Sequence, residues 1–112
     1  MMTYEPGDVI EVPFPFIESG NQKLRPALVI SKRKFQEESG ACILVMITSA
    51  ERSHWPSDVF ISDWAQAGLK KPSLIRWKVF TLEETLIKDK RGSLTTTDFK
   101  TISQTQKNIF QF

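Results

Sequence analysis

Arg25-Pro26-Ala27-Leu28-Val29-Ile30-Ser31 sets a charge at the mouth of an apolar run. The run from Pro26 to Ser31 is short, holds β-branched side chains and follows the turn signal Gly20-Asn21. Those features predict a core strand. Upstream, Gly7-Asp8 opens a first strand over Val9 to Phe14, which Pro13 and Pro15 confine to an edge or a strand end. Residues 15–24 form the polar loop between the two strands. Downstream, Ile43 to Thr48 is a third strand, and its unbroken apolar run implies burial on both faces. Asp58 to Ile61 is a short fourth strand.

Ser62 to Gly68 reads as one helical turn, capped by Ser62 or Asp63 and ended by Gly68. Leu74 to Phe80 is a fifth strand. Thr81 and Glu84 have the spacing of a capping box for a short turn. Leu86 to Leu94 is a further, more exposed strand, interrupted at Gly92. The period then changes. Phe99, Ile102, Gln106, Ile109 and Phe110 fall three or four apart, which predicts an amphipathic helix of about four turns capped by Thr96 or Thr97. Close-set strands followed by one helix point to a mainly β fold. The expected form is one domain over residues 1–112, a small curled, barrel-like sheet with a helix packed on it.

The 112 residues hold 25% charged and 40% hydrophobic side chains, as in an ordinary globular domain. A net charge of +2 does not by itself call for nucleic acid. Its distribution says more. Residues 21–34 carry five bases and no acid, and residues 70–91 carry seven bases against three acids. These segments are either a mixed solvated surface or a face that attracts phosphates. The single cysteine, Cys42, lies in the apolar run Ala41 to Ile47 and reads as a buried structural thiol in a reducing compartment. The first residues lack the basic and apolar regions of a signal peptide, and no stretch approaches a membrane span, so a cytoplasmic protein is expected.

One histidine, His54, and one cysteine do not make a zinc site, and the scattered carboxylates make neither a calcium loop nor a two-metal site. No metal and no cofactor are expected. The five isolated glycines exclude a phosphate-cradling loop. The absence of Gly-x-Ser-x-Gly argues against a Ser-His-Asp hydrolase. Polar groups at strand ends remain. Arg25 opens the second strand. Thr48-Ser49 closes the third. Arg76 and Lys78 share one face of the fifth strand, with Ile75, Trp77 and Val79 on the other. Such cations either face solvent beside the core or line an anion-binding groove, and the planar fork of arginine suits the second.

The stretches Gly7-Asp8-Val9-Ile10-Glu11-Val12-Pro13-Phe14-Pro15-Phe16, Arg25 to Ser31, Leu44-Val45-Met46-Ile47-Thr48-Ser49 and Pro72-Ser73-Leu74-Ile75-Arg76, then Lys88 to Leu94 and a terminal helix, resemble the MazF/PemK toxins of type II toxin–antitoxin systems. The likeness runs in order over nearly the whole chain. It implies an SH3-like barrel with additional strands and a C-terminal helix, usually homodimeric. It also implies metal-independent cleavage of single-stranded RNA, messenger RNA foremost, in which the RNA's own 2′-hydroxyl attacks. The products are a 2′,3′-cyclic phosphate and a 5′-hydroxyl. An antitoxin protein would cover the active surface. On this resemblance Arg25, Thr48 and Arg76 are the catalytic candidates, and Lys78 stands where some relatives carry an aspartate as base. Glu18 in the first loop is then the carboxylate candidate for that proton. Ser19, Lys23, Ser49, Lys78 and His54 are the RNA-binding candidates, and Phe14, Phe16 and Trp55 are the aromatics available to stack bases. A toxin of the same fold that binds DNA gyrase without cleaving, or a plain SH3-like binding module, would share the strands but need neither Arg25 nor Thr48.

Overall fold

The computed structural model of the chain describes residues 3–13, 23–51 and 54–111. Six strands form one antiparallel sheet: β1 (Asp8–Pro13), β2 (Leu24–Val29), β3 (Ala41–Ser49), β4 (Val59–Phe60), β5 (Ser73–Glu83) and β6 (Asp89–Ser93). Their spatial order is β4-β5-β3-β2-β1-β6. The sheet curls into a half-barrel, and the terminal helix α2 (Thr96–Ile109) packs against it, as the sequence predicts. Alternation fills both faces. Val9, Leu28, Val45, Ile47, Ile75 and Trp77 enter one cluster with Ile61, Leu69 and Ile102. Their strand neighbours Ile10, Ala27, Val29 and Leu44 enter a second cluster with Tyr4, Cys42, Leu82 and Ile87. Adjacent residues of a strand point to opposite faces, so the central strands are apolar throughout because both faces are covered. Cys42 is fully buried, and that burial pushes its thiol up to about 11, in keeping with an inert structural role.

Four local expectations are corrected. A short helix, α1 (Arg33–Ser39), stands between β2 and β3. Its sequence is almost wholly polar, and its buried residue is Gln36, which accepts a bond from the Tyr4 amide at 2.8 Å and donates to Glu84 at 2.8 Å. That second bond takes the carboxylate assigned to the capping box. The single 3₁₀ turn over Glu84–Leu86 begins after Glu83 with no side-chain cap, because β5 runs on past Thr81. β6 is correspondingly short, and its irregularity falls at Arg91. Val9 pairs with Gly92 and Ile10 with Lys90, so Arg91 has no partner across the ladder. Helix α2 is capped by Thr95, whose side chain accepts from the Asp98 amide at 3.2 Å, one residue before the expected cap.

The turn over Ser62 to Gly68 forms as predicted. Asp63 accepts from the Gln66 amide, and Gly68 closes the turn at φ +85°. A Cβ on Gly68 would lie 2.3 Å from the Arg91 carbonyl oxygen, and one on Gly92 would lie 2.7 Å from that of Ala67. The turn and β6 therefore touch backbone to backbone, which only glycine permits here. Asp98 fastens the start of the turn to α2 by accepting from the amides of Ser62 (3.0 Å) and Asp63 (2.9 Å).

Candidate functional site

β2 begins, β3 ends and β5 begins at the same end of the sheet. There Thr48 pairs with Leu74 and Ser49 with Ser73. Ala27 pairs with Met46, and carrying that register two residues further brings Arg25 abreast of Thr48. Arg25 and Thr48 line one pocket of about 210 Å³ together with Ser49, Lys70, Lys71 and Arg91. Two of the three catalytic candidates are thus brought together by strand pairing. No carboxylate stands among the described residues lining the pocket. Ser73 donates its hydroxyl to the Lys71 carbonyl at 2.9 Å, which fixes the turn bearing the two lysines. The contact between Gly68 and Arg91 sets that turn beside β6. Arg91 itself is ion-paired with Glu11, while its Nε is buried without an acceptor among the described residues.

Arg76 meets neither alternative read from the sequence. It is buried, and its fork closes on Asp58: Nη2 donates to Oδ2 at 2.8 Å and Nε to Oδ1 at 3.2 Å. The two side chains are only 8% and 2% exposed. Burial alone would raise the Asp58 carboxyl. The hydrogen bonds from Arg76 and from the Trp55 amide, and the nearby positive charge, outweigh it and hold the group below the usual carboxylate range. The same pairing raises the Arg76 guanidinium above its ordinary value.

Asp58 also folds the loop before β4. Its carboxylate accepts from the Trp55 amide at 2.7 Å, and its own amide donates to the Trp55 carbonyl at 3.0 Å. The indole of Trp55, 42% exposed, is thereby held against two cations, with the Arg76 guanidinium 5.0 Å and the Lys78 ammonium 5.3 Å from its ring centroid. His54 bonds the Ala50 carbonyl through Nε2 at 3.0 Å and stacks edge-on against the exposed ring of Phe60. These side chains form an aromatic and cationic surface on the β4–β5 side. Arg76 pairs with Met46, two residues from Thr48 along β3 and on the same face. Lys23 is exposed just before β2, and the Ser49 hydroxyl accepts from the Glu51 amide. Glu18, Ser19, Phe14 and Phe16 lie outside the described residues.

A sequence profile of the PemK-like, MazF-like toxins of type II toxin–antitoxin systems matches residues 5–110. The chain belongs to that family. No curated protein sequence matches it. Among solved structures, MazF from Deinococcus radiodurans superposes with a TM-score of 0.76 at 12% identity, covering 100% of both chains. A MazE–MazF structure from the same organism gives 0.75 at 14% identity, with 96% of each chain covered. A mycobacterial endoribonuclease in complex with its cognate antitoxin gives 0.73 at 16% identity, covering 96% of this chain and 93% of that one. At such identities the likeness establishes the shared fold of this PemK/MazF-like toxin. Among the described residues, no helix is long and apolar enough to cross a membrane.

Reading the sequence missed Lys70, Lys71, Arg91 and Asp58. The first three do stand in the base-rich segment 70–91, but composition cannot say that a glycine contact folds its two ends together. Asp58 left no local signal, since its partner lies 18 residues away.

Proposed function

We propose that this toxin is an endoribonuclease that cuts single-stranded RNA, messenger RNA included, at short sequence motifs without a metal. One observation carries the reading: Arg25 and Thr48 converge on a basic pocket with no carboxylate among its described lining residues. Attack by a 2′-hydroxyl on the adjacent phosphodiester builds negative charge on a phosphorane. The Arg25 guanidinium, always protonated and fork-shaped, stabilises that charge, and a partly dry pocket enlarges the effect. The Thr48 hydroxyl holds the phosphate or the attacking oxygen, with Ser49 beside it. The proton is assigned to Glu18, which stands before Arg25 in the sequence. The departing 5′-oxygen takes a proton from water, leaving a 2′,3′-cyclic phosphate and a 5′-hydroxyl.

Arg76 then acts at one remove. Fixed by Asp58, it holds Trp55 and shares the positive surface with Lys78, where the strand leaving the pocket would stack a base on Trp55 and approach His54. Ser19 and Lys23 would contact the strand on the loop side. The working form is a homodimer, and an antitoxin segment rich in acids and apolar side chains competes with RNA for the exposed aromatics and cations. The test is cleavage of a mixed RNA pool in EDTA by the wild type, Arg25→Ala and Thr48→Ala, with the product ends mapped. Undiminished cleavage by Arg25→Ala removes Arg25 from the mechanism. Loss of wild-type activity in EDTA sinks metal independence.

A further inference from the structure

The pocket has an outer wall that this mechanism leaves unused. Lys70 and Lys71 are exposed and have no salt-bridge partner among the described residues. They follow Leu69, which is anchored in the first apolar cluster, and Ser73 fixes their backbone from the far side. Arg91 faces them from β6, at the bulge, placed there by the close approach of Gly68. Its pairing with Glu11 orients the guanidinium and leaves Nε without an acceptor among the described residues. Two glycines, a serine hydroxyl and a carboxylate are thus spent on setting three cations around one opening beside Arg25. Clustered cations repel one another, and an anion between them relieves that repulsion.

The size of the opening narrows the ligand. At about 210 Å³ the pocket is smaller than the roughly 300 Å³ at which small-molecule sites begin. It suits a phosphate group on a chain that continues outside, not a whole nucleotide. We infer that Lys70, Lys71 and Arg91 bind the phosphodiester next to the scissile one on the same RNA strand. The inference rests on the ribonuclease reading of Arg25 and Thr48. The subsite fixes register without reading a base, because phosphate contacts carry no sequence information. Held at both the neighbouring phosphate and Arg25, the strand presents one bond to the 2′-hydroxyl geometry.

The experiment measures binding apart from cleavage. A fluorescent, fully 2′-O-methylated oligonucleotide of mixed sequence cannot be cut, and its anisotropy gives affinity at a series of sodium chloride concentrations. Each phosphate neutralised on a single strand contributes about 0.7 to the slope of log affinity against log salt. The double variant Lys70→Gln/Lys71→Gln is expected to make that slope shallower by about 0.7 and to weaken low-salt binding on the order of tenfold. Lys34→Gln, on α1, serves as the control and is expected to leave the slope unchanged. A slope unaltered in the double variant, with RNA cleavage intact, overturns the subsite and leaves the ribonuclease reading standing. The expected change in slope, in a wild type that cuts no unmodified RNA, supports the subsite and overturns the cleavage reading. A wild type that neither binds the oligonucleotide nor cuts unmodified RNA overturns both.

Discussion

Replacing Asp58 with alanine tests how the Trp55 surface is built. The substitution removes both Asp58 hydrogen bonds to the Arg76 guanidinium, whose side chain is 8% exposed, and the bond that turns Trp55 back on the loop. Breaking a fully buried ion pair by deleting one partner costs roughly 3–5 kcal/mol. This pair lies just beneath a half-exposed indole, so water can reach the guanidinium, and the lower end, about 3 kcal/mol, is expected. For a domain of this size that lowers Tm by roughly 10–15 °C. The pH dependence has a definite sign. The Asp58 carboxyl is depressed in the folded state, so its contribution is full above the unfolded value of about 3.9 and fades as pH falls through the lower folded value. The gap in Tm between wild type and variant should be constant from neutrality to about pH 5 and narrow below pH 4. Thermal melts followed by circular dichroism across that range, with Arg76→Ala and the double variant to close a cycle, provide the assay. A variant melting within about 2 °C of wild type, or a gap that widens in acid, would refute the claim that this pair organises the loop.

Other outcomes are equally definite. Arg25→Ala is expected to lower the cleavage rate constant by about 10²–10³-fold, as loss of one charge-stabilising donor does, with the melting curve little changed. Gly68→Ala forces a side chain into left-handed backbone at 2.3 Å from the Arg91 oxygen. A loss of at least about 2 kcal/mol in urea unfolding is expected, and a neutral result would mean that β6 does not bear on the turn. Asp98→Ala strands the amides of Ser62 and Asp63, at about 2–3 kcal/mol, and hydrogen exchange at those two amides should rise before the sheet loosens.

The strands were legible because their physics is local. Val9, Leu28 and Val45 alternate with Ile10, Ala27 and Leu44 in a way that only a two-faced sheet accommodates. Helix α1 was not legible, since Phe35 is its one apolar side chain and its buried residue is a glutamine held by tertiary bonds. The faces of β5 were read correctly at Ile75 and Trp77. Val79, assigned to the same face, is 41% exposed, and it resumes the pairing with β3 after a register shift that leaves Trp77 and Lys78 unpaired. For the site, Arg25 and Thr48 could be named because they sit at the ends of apolar runs, where alternation leaves polar groups unexplained. The partner of Arg76 and the cations across the pocket depend on contacts between distant segments, which no window of sequence contains.

The pairing of β1 with β6 has a consequence during synthesis. Asp8 meets Ser93, and Glu11 meets Arg91, across some eighty residues of chain. A nascent chain emerges from its N-terminus, so β1, β2 and β3 can pair while β6 is still inside the ribosome. Arg91 is the last cation to reach the pocket, and the turn bearing Lys70 and Lys71 lacks its backing until Gly92 arrives. Contacts of such long sequence separation form slowly. The molecule therefore completes its anion-binding wall only after Arg91 and Gly92 have been made, and a truncated product ending before β6 would carry Arg25 and Thr48 without it.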